Sequence, residues 1–124
     1  MLRLNLNRLI ENDTIIYFSN QKKIFWIREE LNDNAVYVFV GGELLSETTH
    51  EFQDEISALI SVGMDIIIDF TEVKYIASSY IRALLKIQIS IDKSGKGSIK
   101  LTKIPSQILA DFDKMGITEL LWIE

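Results

Sequence analysis

A chain of 124 residues, 48% hydrophobic and 25% charged, has the size and composition of one globular domain able to build its own core. The absence of cysteine excludes disulfides, cysteine-ligated metals and thiol chemistry, and fits a reducing cytosol. A formal net charge of -5 argues against sequence-independent nucleic-acid binding, which needs basic patches, and no apolar run approaches the roughly 18 residues of a membrane-spanning helix.

The N-terminal "MLRLNLNRLIENDT" alternates apolar and polar residues and lacks the compact apolar stretch of a signal peptide. Its periodicity fits either a short strand or a weak amphipathic helix. Residues 1–23 are expected to form an N-terminal extension, broken at "ENDT" and "SNQKK", ahead of a domain over 24–124. "IFWIRE" (24–29) predicts a strand and "LNDNA" a turn. "VYVFVGG" (36–42), β-branched and aromatic, predicts a second strand ending on glycines.

"SETTHEFQDEISALISVG" carries the signals of a helix. Thr48 and Glu51 have capping-box spacing, and Phe52, Ile56, Leu59 and Ile60 repeat on one face. Glu47 and Glu51 suit the positive end of the helix dipole, and Gly63 suits the stop. "DIIIDF" (65–70) is a continuous apolar run, as expected of a strand buried on both faces.

The next segment reads two ways. Leu85, Ile87, Ile89 and Ile91 alternate as in a strand, with "DKSGKG" as a hairpin turn. Ile81, Leu84, Leu85, Gln88 and Ile91 also form a helical stripe. The helix is preferred, because a buried strand is most simply followed by a crossover helix returning to a parallel strand, here "SIKLT". Pro105 suits the first turn of a last helix with Ile108, Leu109, Phe112 and Met115 as its apolar face and Gly116 as its stop. "ITELLWIE" is expected to pack down as an apolar tail. The order strand, strand, helix, strand, helix, strand, helix predicts a small α/β domain, with a mixed sheet of about four to five strands and helices mainly on one face.

Four stretches in this order resemble the STAS domain, the fold of anti-sigma factor antagonists. "VYVFVGGEL" resembles the family's second strand and its Gly-Glu-Leu-Asp turn. "IIIDFTEVKYIASSYIRALL" resembles its signature, an apolar strand leading through Asp-Ser-Ser-Gly into a helix. "IKLTKIPSQI" resembles the strand before a Pro-initiated helix, and "FDKMGITELL" the closing Gly-Leu segment. Residues 1–23 lie outside the likeness. In the family the first serine of Asp-Ser-Ser-Gly accepts a phosphate. The resemblance therefore implies Ser78 as the phosphorylation site, with Ser79 as the alternate. It also implies a partner surface at Leu45, Ala77, Ser78, Ser79 and Tyr80, and a transcription-regulatory cycle. In that cycle the unmodified domain binds an anti-sigma factor with serine kinase activity, phosphorylation releases it, and a phosphatase resets the serine. No cofactor, metal, nucleic acid or membrane insertion is implied, and the location implied is cytoplasmic.

The physics suits such a switch. A phosphate adds about -1.5 to -2 charge near pH 7. A helix N-terminus accommodates that charge, whereas a partner docked over it must bury it. Three positions depart from the family pattern. Ala77 stands where the family has Asp, Tyr80 where it has Gly, and Leu45 where an Asp often follows Gly-Glu-Leu. The two apolar replacements remove charge beside the serine, and Tyr80 adds bulk where a partner approaches. For Ser78, two readings stand side by side: a helix N-cap hydroxyl worth about 1 kcal/mol, or a regulated phosphoacceptor. Ser79 is the alternative cap.

Other chemistry is weaker. His50, the single histidine, falls on a charged helical face, and the chain has no Gly-x-Ser-x-Gly elbow. Gly95 and Gly97 in "KSGKGS" lack phosphate-loop spacing and read as a turn. Asp69 is expected to organise the turn at Thr71 rather than pair with Asp65 on a metal. Trp26 and Trp122 read as core or edge residues. Three functions follow: a regulatory binding module switched at Ser78, an unphosphorylated scaffold or subunit of a larger complex on the same fold, and a small serine hydrolase using Ser78 and His50.

Overall fold

The N-terminal alternation resolves as a hairpin. In this computed structural model, which describes residues 6–19 and 22–124, β1 (Leu6–Glu11) pairs antiparallel with β2 (Thr14–Ser19), beginning at Glu11↔Thr14. Asn12 and Asp13 between them both have positive φ, 48° and 63°. A two-residue turn that matches the strand twist needs that conformation, and Asn and Asp tolerate it. Of the two alternatives for this segment, strand and helix, residues 6–11 take the strand.

β2 pairs antiparallel with β3 (Lys22–Asn32), and β3 with β4 (Ala35–Leu44). From there each neighbour is parallel and reached over a helix. A short 3-10 turn (Ser46–Thr48) and α1 (Thr49–Ser61) lead to β5 (Asp65–Ile76), and α2 (Ser78–Ser94) leads to β6 (Ser98–Thr102). The segment at 81–91 is thus the expected crossover helix. Pro105 stands immediately before α3 (Ser106–Lys114), and a second 3-10 turn covers Thr118–Leu120. The sheet order is β1-β2-β3-β4-β5-β6, six strands rather than four to five. The additional strands are β1 and β2, drawn from the stretch read as an extension.

β5 also runs six residues past Phe70. Its register with β4 slips between Phe39 and Gly41 and again between Gly42 and Glu43. These bulges break the inside-outside alternation, so Thr71, Glu72, Lys74 and Tyr75 are exposed within a strand. The C-terminal tail packs down as expected. Leu101 N–H donates to the Trp122 carbonyl (2.9 Å), Glu124 N–H donates to the Leu101 carbonyl (2.8 Å), and Leu121 is buried.

The core lies between one face of the sheet and the helices. Phe25, Ile27, Val38, Val40, Ile66, Ile68 and Phe70 from the strands meet Phe52 and Ile56 of α1, Ile81 and Leu84 of α2 and Ile108 and Phe112 of α3. Each such side chain contributes about 1.5–3 kcal/mol on burial. Aromatic rings join the layers. Tyr17 stacks on Phe25 at 4.4 Å, and Tyr80 meets Phe25 edge-on at 6.4 Å and Phe52 at 5.1 Å. On the other face Trp26 lies across Gly41, where a Cβ atom would come within 2.4 Å of the indole. Arg28 stacks over Phe39 at 4.3 Å. Ile67 on that face is only half buried, so β5 is covered fully on its helix side alone.

Charge also enters the helix side. Glu29 on β3 faces Glu55 on α1, and Arg8 of β1 reaches the same Glu55 at 3.8 Å. Burial, then the nearby Glu55 charge, raises the Glu29 carboxyl above its ordinary value of 4.5. A raised carboxyl favours the native state while protonated, and that stability is lost as pH rises through the native value. Glu29→Gln is therefore expected to raise the urea midpoint at about pH 7 and to give no gain at about pH 4, where unfolded and native carboxyls are both largely protonated. Equal gains at both pH values would refute the pairing.

Candidate functional site

Because β4 and β5 run parallel, they end on the same side of the sheet, where α/β folds place their sites. Ala77 N–H donates to the Leu44 carbonyl at 2.8 Å and ties the two strand exits together. The starts of α1 and α2 are then stitched by hydroxyls. Thr48 Oγ1 donates to the Leu45 carbonyl (3.0 Å), so the bond between Thr48 and Tyr80 (2.6 Å) has the Tyr80 O–H as donor. Thr49 Oγ1 donates to the Ser46 carbonyl (2.9 Å), so in the Thr49–Ser79 pair (2.7 Å) Ser79 O–H is the donor.

These bonds correct three expectations. Thr48 and Glu51 make no capping box: the Thr48 hydroxyl is used in the bond from Tyr80, and Glu51 Oε2 is buried without a partner among the described residues. Neither serine caps α2. The N-cap is Ala77, with φ -76° and ψ 151° and no side-chain capping bond, and Ser78 and Ser79 are the first two helical residues. Tyr80 presents no bulk to a partner: its side chain is fully buried, and burial pushes its phenol far above the ordinary value of 10.0. Helical spacing explains this. Tyr80, Leu84, Ile87 and Ile91 recur at intervals of four and three, so Tyr80 opens the apolar stripe of α2.

Ser78 is different. It is exposed, and no protein group among the described residues bonds its hydroxyl. It sits at a hollow of about 320 Å³ lined also by Tyr75, Ile76, Ile81, Asp111, Lys114 and Met115. Leu45 is half buried and Ala77 buried, so Ser78 is the most accessible of the five residues proposed for partner contact. Sequence reading missed the wall from α3. The available signal was the spacing of Asp111 and Lys114, three apart and hence on one helical face.

The other candidates are placed apart or occupied. His50 is exposed on α1, its Nε2 3.3 Å from Asp54. Asp69 Oδ1 accepts from Thr71 N–H (2.8 Å) and from the Thr71 hydroxyl (2.6 Å), with Lys103 3.7 Å from its other oxygen. The expected local bracing is present, but it secures a bulge inside β5 rather than a turn after it. Asp65 accepts from Ser98 at 3.0 Å. Among the described residues no three His, Asp or Glu side chains are grouped to hold a metal, and no helix is long and apolar enough to cross a membrane. Trp122 is exposed, with the Lys100 ammonium 5.3 Å from its ring.

Residues 27–122 match the family described as "Mlab, STAS domain", and the chain belongs to that family. Solved structures carry the same fold. Protein tm1081 of Thermotoga maritima is 20% identical, with a TM-score of 0.71 over 78% of this chain and 84% of its own. The anti-sigma factor antagonist SpoIIAA in its unphosphorylated form is 20% identical, with a TM-score of 0.65 over 79% and 85%. An anti-sigma factor antagonist from Mycobacterium paratuberculosis is 14% identical, with a TM-score of 0.66 over 93% and 89%. At these identities the likeness is one of fold. No curated protein matches the sequence.

Two stability predictions follow from this geometry. Ala77→Ser supplies the missing acceptor at the start of α2 and should stabilise by about 1 kcal/mol in urea unfolding. Tyr80→Phe, which removes only the bond to Thr48, should cost about 1–2 kcal/mol, and Tyr80→Ala about 3–5 kcal/mol. A Tyr80→Ala variant as stable as the parent would contradict the buried placement.

Proposed function

We propose that this domain is a non-enzymatic regulatory module that binds an anti-sigma factor with serine kinase activity and is switched by phosphorylation of Ser78. The observation that carries the reading is the unequal state of the two serines. Ser79 is held by Thr49, while Ser78 faces solvent with its hydroxyl unengaged at the mouth of α2. In the transfer, Ser78 Oγ bonds to the γ-phosphorus of ATP, the bond to the β-phosphate oxygen breaks, ADP leaves and the hydroxyl proton goes to solvent. The resulting charge stands on the surface a partner covers, so one modification opposes binding without disturbing the core. A phosphatase returns the serine to its free state, and a cytoplasmic location fits the cysteine-free chain.

A second reading keeps the fold without the modification: a scaffold, or a subunit of a larger complex. Ala77 favours it, because the carboxylate that the family pattern places directly before the serine, where it would orient the hydroxyl or meet a kinase's metal-nucleotide end, is an alanine methyl here. Incubation with the partner kinase and ATP, followed by phosphosite mapping, separates the two. The switch reading expects one phosphate on Ser78, none in Ser78→Ala, and loss of partner capture in Ser78→Asp. Unmodified protein together with full capture by Ser78→Asp would leave only the scaffold.

A further inference from the structure

Phosphorylation changes more than the charge at position 78, because the serine shares its hollow with α3. The floor is apolar, made by Ile76, Ile81 and Met115, and the rim carries Asp111 and Lys114. Lys114 is exposed and takes part in no ion pair among the described residues, as does Arg82, one helical turn beyond Ser78 on α2. Residues four apart on a helix are neighbours, so Arg82 reaches position 78 along α2 while Lys114 approaches it from α3. Both cations are thus free to serve an anion that the unmodified protein lacks. Asp111 is the opposing charge on the rim.

Resting on the reading of Ser78 as a phosphoacceptor, we infer that a phosphate there is held jointly by Arg82 and Lys114, and that the Lys114 arm crosses the hollow and closes it. The unmodified hollow then offers a partner an apolar floor, and the modified one offers a neutralised lid tying α3 to α2. The phosphate denies the partner both the apolar floor and the recess.

The test does not need the kinase. Phosphoserine is placed at position 78 of the full chain during synthesis by stop-codon suppression, and its second ionisation, ordinarily near pH 6, is followed by phosphorus NMR. The expected titration lies below that of a free phosphoserine peptide. Lys114→Gln and Arg82→Gln should each raise it by about half a pH unit, Asp111→Asn should lower it, and Lys93→Gln, the same charge loss in the last turn of α2, should leave it in place. All four positions are at least partly exposed, and a thermal melt checks that each variant folds. A titration unmoved by Lys114→Gln, or moved equally by Lys93→Gln, overturns the cross-hollow contact even where Arg82→Gln has its effect. Failure of a kinase to modify Ser78 bears on the proposed function alone.

Discussion

One buried aromatic residue holds the starts of α1 and α2 in register with the sheet. Tyr80 touches Phe25 from the sheet and Phe52 from α1, and gives its hydroxyl proton to Thr48. Sheet, α1 and α2 therefore meet at a single side chain three residues past the end of the strand–helix junction. The polar tip is what makes the arrangement specific. A phenol in an apolar core must find a partner, and the only cheap one is the hydroxyl that the first residue before α1 supplies. Satisfying Tyr80 takes that threonine out of capping service, which is why α1 begins without the side-chain cap its sequence advertises.

Much of the architecture was readable from the chain, and the reasons are local. "VYVFVGG" and "DIIIDF" are buried runs of strand formers, and α1 and the crossover helix α2 show apolar residues at helical spacing. The misses have a shared cause. The β1–β2 hairpin is half exposed, so its alternation is diluted and its turn residues read only as breaks. Four of the last six residues of β5, Thr71, Glu72, Lys74 and Tyr75, are exposed because two bulges break the alternation, and bulges leave no mark in a hydropathy pattern. At the site, the family pattern drew attention to position 80 as a surface position, and the stripe expected from Ile81, Leu84, Leu85, Gln88 and Ile91 left Tyr80 out. The buried stripe is turned slightly from it and runs through Tyr80, Leu84, Ile87 and Ile91. Lys114 and Arg82 needed the fold, since one lies on another helix and the other bears on Ser78 only once the helix exists.

The same geometry makes two adjacent identical residues chemically unlike. Successive helical residues are about 100° apart, so with Tyr80 inward its two predecessors diverge, one toward α1 and one toward solvent. Ser79 becomes part of the structure that holds two helix starts together. Ser78 is exposed, its hydroxyl without a protein partner among the described residues. With Ala77 in the capping place, the first turn of α2 is left with unserved backbone donors beside that hydroxyl. A phosphoacceptor placed here lies on a surface separate from the bonds that secure the core, so the surface can change charge while the scaffold beneath it keeps its packing.

The order of the six strands has a consequence for how the chain finds this state. Every strand pairs with its predecessor, so no strand must be slipped between two that are already joined. The first three pairings close over tight or short loops and the last two over one helix each, which keeps the entropy of each closure small. Such a sheet can grow from one side to the other as the chain is laid down, with β1 to β4 a meander of local contacts and the parallel strands added singly. The tail at Trp122–Glu124 then takes up the N–H and carbonyl of Leu101 on the outer side of β6, which leaves that edge with fewer groups to offer another chain.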